Sequence, residues 1–254
     1  MCIAGLSSMV YKYQFTISKN YRHFVDEPKM SYAHTVTLLL TSGGIVPEIK
    51  EYFLSVLPKK RPEDNKVVFV TTAAYGESKN PTWMEKDRQL LYECGIKYIE
   101  ELDFKDKTQK ELEKLLSDKE IIFVNGGNTF YLLKWVKESG FSKVLSHFLR
   151  RGGLYGGVSA GSYIACPTIE AATWKHQVRN RVGITDFTAL NLIPFLITAH
   201  FEEKYRTIVV QAAKSTKYPI VALSDKQAIL VQDGKIKIVG EGKRDYWNKF
   251  EEHP

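Results

Sequence analysis

The sequence predicts an α/β protein: a single doubly wound, mainly parallel sheet with helices on both faces and a C-terminal β-hairpin. Three observations predict it. Continuously apolar segments of strand length recur along the chain, as in Thr35 to Thr41 and Lys66 to Thr72. Between them lie segments with apolar residues at helical spacing. Near the end, two apolar runs flank Asp233-Gly234, a strong type I′ hairpin signal. Strands that are apolar on both faces and joined by amphipathic helices belong to parallel sheets covered on both sides.

The elements follow in order. Thr35 to Thr41 is β-branched and apolar, and Ser42-Gly43-Gly44 turns the chain after it. Val46, Ile49, Phe53, Val56 and Leu57 share one face of a helix, which Pro58 and the charged stretch to Asn65 end. Lys66 to Thr72 is a second buried strand. A helix opening at Pro81 runs through Leu91 and stops at Gly95. Ile96 to Leu102 reads as a strand, Thr108 to Lys119 as an amphipathic helix, and Glu120 to Val124 as a short strand meeting Gly126-Gly127. Helices are expected over Phe130 to Lys137 and Phe141 to Arg150, and a strand over Gly153 to Val158. Beyond these lie strands at Ile197 to Ala199 and Ile220 to Leu223, a helix at Glu203 to Lys214, and the hairpin of Ala228 to Val231 with Lys235 to Val239.

Composition sets the outer limits. With 254 residues, 44% hydrophobic and 26% charged, the chain is neither disordered nor fibrous and is long enough to bury a large core. Its three cysteines, Cys2, Cys94 and Cys166, form no disulfide framework and no metal-binding spacing. A reducing, cytoplasmic setting and a protein without metal or cofactor are expected. The net charge of +7 is spread among acids rather than clustered, so no nucleic-acid partner is expected. No apolar run approaches the ~18 residues of a membrane span. Residues 1–34 are aromatic and polar without a signal-peptide core and read as an N-terminal extension of unknown role. The domain is expected over 35–254.

The strongest chemical signal is Gly157-Val158-Ser159-Ala160-Gly161, a G-x-S-x-G between an apolar strand and a helix-compatible segment. A sharp strand-to-helix turn strains the serine backbone, and small neighbours keep its hydroxyl reachable. The backbone N–H of Ala160 lies where a developing oxyanion needs a donor. A second signal is Asn125-Gly126-Gly127-Asn128-Thr129, whose glycines permit close approach to a ligand at a strand end. Its amides supply the other half of an oxyanion hole, with Asn128 or Thr129 orienting a substrate. Alternatively, Asn128 or Thr129 simply caps the next helix.

A serine nucleophile needs a base. Of six histidines, His200 follows a strand-like segment and lies at a strand end, and it comes after the serine in the chain. His147 belongs to a helix, His176 to a polar stretch, His23 and His34 to the leader, and His253 to the tail.

GGNTFYLL at 126–133, GVSAGSYIACPTI at 157–169 and AHF at 199–201 together resemble the dipeptidase E and cyanophycinase family of serine peptidases. The resemblance spans most of residues 35–250, including SDKQAILVQDGKI at 224–236. It implies a class I glutamine-amidotransferase-like fold with serine in place of the cysteine nucleophile. It also implies hydrolysis of dipeptides or isopeptides that carry aspartate. By position, Ser159 is the nucleophile, His200 the base, and the Gly127 and Ala160 amides the oxyanion hole, next to Asn128. The family's acid position holds Trp174 here. Glu170 is the favoured third member of the triad, with Asp186 and Asp225 as alternatives. The family's arginine-bearing insert after His-Phe is short here, leaving Arg206 as the one candidate to hold a substrate carboxylate.

The expected function is therefore that of a serine hydrolase acting on a small peptide or amide, as a monomer or homodimer. Trp174 supports a second reading, a catalytically weak relative that binds an amino-acid-like ligand or a partner protein. Polyanion binding through the basic surface is a third.

Overall fold

The computed structural model describes residues 36–175 and 178–248, and the backbone of Phe15–Thr16. The remainder of the 1–34 extension, His176 and His253 lie outside the described residues. In chain order the elements are β1 (Phe15–Thr16), β2 (Thr37–Thr41), α1 (Pro47–Ser55), β3 (Lys66–Val70), α2 (Thr72–Glu77), α3 (Trp83–Glu93) and β4 (Tyr98–Leu102). Then come α4 (Gln109–Leu116), β5 (Ile121–Val124), α5 (Thr129–Glu138), α6 (Phe141–Arg150), β6 (Leu154–Val158) and the short helices α7 (Ala160–Tyr163) and α8 (Ala171–Trp174). The chain closes with β7 (Leu196–Thr198), α9 (Arg206–Ala213), β8 (Ile220–Ala222), β9 (Gln227–Gln232), β10 (Lys235–Gly240) and β11 (Asp245–Trp247).

The central sheet runs β1-β10-β9-β2-β6-β5-β3-β4. Its five strands from β2 to β4 are mutually parallel, and β9 joins β2 antiparallel through the registers Leu38↔Val231 and Thr41↔Ala228. The predicted hairpin forms β9 and β10. Its turn residues, Asp233 and Gly234, both take the positive φ that a type I′ turn demands, 54° and 71°.

Burial follows the alternation of β2. Leu38 and Leu40 enter the core beneath the helices α4 to α9, while Leu39 enters the opposite core with Ile49 and Phe53 of α1 and Met84 and Leu91 of α3. This double burial is why the strands read as unbroken apolar runs. The strand β4 is the exception: Glu100 and Glu101 are exposed at the sheet edge, where charged side chains discourage edge-to-edge association.

Two features go beyond the sequence reading. The segments around Ile197 and Ile220 are strands, but with β11 they build a separate three-stranded sheet, ordered β11-β8-β7. The helix α2 directly follows β3; its sequence TAAYGE is too short and too weakly patterned to announce itself. Among the described residues no helix is long and apolar enough to cross a membrane.

The topology gathers loops from neighbouring strands at one end of the central sheet. In sheet order β9-β2-β6-β5 these are the segment entering β9, the turn after β2, the elbow after β6 and the glycine loop after β5. Ligands of open α/β sheets bind at such carboxyl ends.

Candidate active site

Ser159 ends β6 with φ 47° and ψ −99°, a conformation that costs a non-glycine residue about 1–3 kcal/mol. Backbone bonds hold it there. Its N–H donates to the Thr41 carbonyl at 3.0 Å, and its carbonyl accepts from the N–H groups of Ser162 and Tyr163, each at 2.9 Å. The flanking glycines are sterically required. A Cβ on Gly157 would lie 2.7 Å from the Gly161 backbone, and one on Gly161 would lie 2.3 Å from the Val124 carbonyl oxygen. The tight turn leaves the serine partly exposed.

His200 approaches from the second sheet, two residues beyond β7. Its Nε2 lies 2.9 Å from Ser159 Oγ, and its Nδ1 lies 2.6 Å from Asp225 Oδ1. With Nδ1–H donated to the carboxylate, Nε2 is left to accept the serine proton. The His200 contact holds the Asp225 carboxyl below its ordinary range, aided by the Ser42 hydroxyl and the Lys175 charge and opposed by burial. Ser42 serves both partners: its Oγ donates to Asp225 Oδ1 at 2.9 Å and accepts from the His200 N–H at 2.7 Å.

The carboxylate on His200 is thus Asp225, one of the alternatives, and not Glu170. Glu170 lies just before α8 and accepts a hydrogen bond from the Thr216 hydroxyl. Asp186 is likewise committed, pairing with Lys137 Nζ at 2.6 Å on the surface. The reason is topological. Antiparallel pairing of β9 with β2 sets Asp225 against the turn at Ser42, a contact 183 residues apart in sequence.

The glycine loop lies beside the nucleophile. A Cβ placed on Gly126 would come within 3.5 Å of Ser159 Cβ. Gly127 has φ 139°, and a Cβ there would lie 2.3 Å from the Ala73 carbonyl oxygen, so α2 packs directly on this backbone. Among the described residues, no protein acceptor engages the amide N–H of Gly127 or Ala160.

Other candidates are occupied elsewhere. Asn128 caps α5 by accepting from the Tyr131 N–H at 3.0 Å, and its Nδ2 donates to Glu77 Oε2 and the Arg179 carbonyl, both at 3.0 Å. It therefore ties α2, α5 and the 178–190 segment together rather than offering groups to a ligand. Thr129 is buried at the start of α5. Arg206 pairs with Glu203 and with Asp245 Oδ1 at 3.0 Å, and lies over the rings of Phe201 and Trp247. A guanidinium held this way is not free to clamp a substrate carboxylate.

The sequence reading passed over Ser42 and Lys175. Lys175 is buried, and its Nζ donates to the Ala199 carbonyl and lies 3.5 Å from the His200 carbonyl. It thereby grips the chain where His200 adopts a positive φ of 52°. Burial pushes its ammonium down to about 8, against the pull of Asp225 and Glu202. Ser42 had a visible signal, a polar residue at the carboxyl end of an apolar strand. Lys175 had none.

The doubly wound sheet thus sets a serine, an imidazole and a carboxylate in hydrogen-bonded succession at the carboxyl ends of its parallel strands. The chain belongs to peptidase family S51, whose model matches residues 38–239. It is 31% identical over 207 residues to an uncharacterized peptidase of Listeria monocytogenes, covering 78% of this chain and 96% of that one. An uncharacterized peptidase of Pasteurella multocida is 29% identical over 187 residues, 71% of this chain and 88% of its own. Peptidase E of Escherichia coli is 35% identical over 141 residues, 49% of this chain and 57% of its own. Among solved structures, a putative peptidase E protein from Listeria monocytogenes superposes with a TM-score of 0.70 at 26% identity, covering 82% of this chain and all of that one.

Proposed function

We propose that this protein is a serine-type peptidase acting on small peptides, with Ser159 as nucleophile, His200 as general base and Asp225 as the orienting carboxylate. The observation that carries it is the continuous relay from Ser159 Oγ through the His200 ring to Asp225, with contacts of 2.9 and 2.6 Å. In this reading Ser159 Oγ attacks the scissile carbonyl carbon while Nε2 takes its proton. The Gly127 and Ala160 amides donate to the developing oxyanion. Collapse of the intermediate breaks the C–N bond, and the imidazolium returns the proton to the leaving amine. Water then attacks the acyl-enzyme by the same route, restoring the serine.

Asp225 also weakens the reading of a catalytically inert relative. That reading leaned on Trp174 at the expected acid position, and the Asp225 carboxylate supplies the same interaction from another loop. The half-buried Trp174 packs against the core beneath the helices.

The test is chemical labelling. Incubation with a fluorophosphonate probe and peptide mapping is expected to find the adduct on Ser159. Ser159→Ala is expected to lose the adduct and about 10⁴-fold or more of dipeptide hydrolysis. Hydrolysis that persists at wild-type rate in Ser159→Ala sinks the proposal.

A further inference from the structure

A second pair of polar groups borders the site and has no part in the relay. The turn Ser42-Gly43-Gly44 lies between two carboxylates. A Cβ on Gly43 would lie 2.9 Å from Asp225 Cβ, whereas one on Gly44 would lie 2.8 Å from Asp87 Oδ1. Asp87 projects from α3 and is only 9% exposed, and its carboxylate has the Asn125 side-chain amide as its hydrogen-bonding neighbour. Asn125, at the end of β5 and one residue before the glycine that abuts Ser159, is completely buried. Its Oδ1 accepts from the Gly126 N–H at 2.5 Å, and its Nδ2, which closes no bond of standard geometry, is left to Asp87.

The Asp87 carboxylate thus faces an uncharged amide, and among the described residues no cation of the chain lies within ion-pair distance of it. The Asn125 amide lies close enough to Asp87 to favour its charged form, as do the Lys86 and His200 charges, yet burial dominates and raises the carboxyl to about 6. A buried carboxylate without a cation is costly, and a cation brought by a ligand relieves that cost. Arg88, the neighbouring cation on α3, is turned away to Glu101 and the Phe69 ring.

We propose that Asp87, supported by Asn125, recognises a protonated amine of the substrate, and so determines specificity in the serine peptidase proposed above. A small peptide offers two such amines, its α-amino terminus and a basic side chain. The chemistry at Asp87 is the same for both. The inference rests on the peptidase reading for its substrate class but not for its test, which reads binding.

The test uses full-length Ser159→Ala, with and without Asp87→Asn, titrated calorimetrically with alaninamide, N-acetyl-alaninamide and N-acetyl-lysinamide at pH 7.5. At least one amine-bearing compound is expected to bind tenfold or more tighter than N-acetyl-alaninamide, and Asp87→Asn is expected to remove that preference. Preference for alaninamide assigns the α-amine, and preference for N-acetyl-lysinamide assigns the side chain. Equal affinity for all three compounds overturns the proposal, as does a preference that survives Asp87→Asn. If Asp87→Asn does not fold, as judged by its circular dichroism and melting curve, Asp87→Glu replaces it. That variant keeps the charge but displaces it, and an unchanged preference in it counts against the proposal. Fluorophosphonate labelling of the same preparations with Ser159 restored reports separately on the peptidase reading. A protein that labels but shows no amine preference fails only here, and one that shows the preference but does not label fails only there.

Discussion

Ser159 and His200 each carry a local mark that makes them legible in the sequence. The serine stands in a motif whose glycines are sterically required, and the histidine closes a strand. The third partner carries no such mark. Glu170 looks better placed because it follows the elbow closely in sequence, yet its carboxylate is spent on Thr216. Asp225 reaches the ring only through the β9–β2 pairing. The two assignments give opposite mutational outcomes. Asp225→Asn is expected to lower kcat by up to about 10⁴-fold by disturbing the imidazole's tautomer. Glu170→Gln is expected to keep hydrolysis within about threefold of wild type, as measured on the best dipeptide of a panel. A large loss in Glu170→Gln with none in Asp225→Asn would reverse the assignment.

Among the elements, the strand–elbow–helix unit from β6 to α7 is the most tightly constrained. Tyr155 donates to the Gly161 carbonyl at 2.8 Å, and Ser162 Oγ bonds the carbonyls of Thr41 and Gly157 at 2.8 and 2.9 Å. A methyl group on Gly161 has rigid backbone in its way at Val124. Gly161→Ala is therefore expected to destabilise the fold by about 1–3 kcal/mol in urea melts and to reduce activity as well. The start of α4 offers the contrast. There Thr108 and Glu111 form a reciprocal capping box far from the chemistry. Thr108→Ala is expected to cost about 1 kcal/mol while leaving turnover unchanged. Elements with such side-chain signatures were legible in the sequence, as were the hairpin and the long buried strands. Short ones such as α2 and β11 were not, because six or three residues show no period.

At the scale of the whole molecule, the site joins two sheets: the central one supplies Ser159, Ser42 and Asp225, and the small one delivers His200. Lys175 bonds the strand-end carbonyls on the His200 side and couples the juncture to pH. Its ammonium titrates near 8 in the folded chain against an ordinary 10.5, so between those values the unfolded chain binds more protons. Stability from this group therefore rises as pH increases from about 8 to 10.5. Lysines 66, 119, 204 and 226 are shifted up by their carboxylate partners and contribute the opposite slope. The quantity to measure is thus a difference. The unfolding free energy of wild type minus that of Lys175→Met is expected to increase across this interval, by up to about 3 kcal/mol. A difference that stays flat removes Lys175 from this role. The buried thiols of Cys94 and Cys166, pushed up to about 11 and 12 by burial, stand outside the chemistry.

The sequence by itself determined what depends on neighbouring residues: the apolar strands, the capped and amphipathic helices, the Asp233-Gly234 turn, and the elbow that strains Ser159. Each follows from backbone sterics or from a periodicity written within a few residues. Only the tertiary structure decided which carboxylate meets His200, that Ser42 links the two, and that Arg206 and Asn128 are committed to the scaffold. Those outcomes depend on strand order and on the joining of two sheets, which bring together residues as much as 183 positions apart. Contacts across such separations are set by the packing of the whole core, and no local pattern records them.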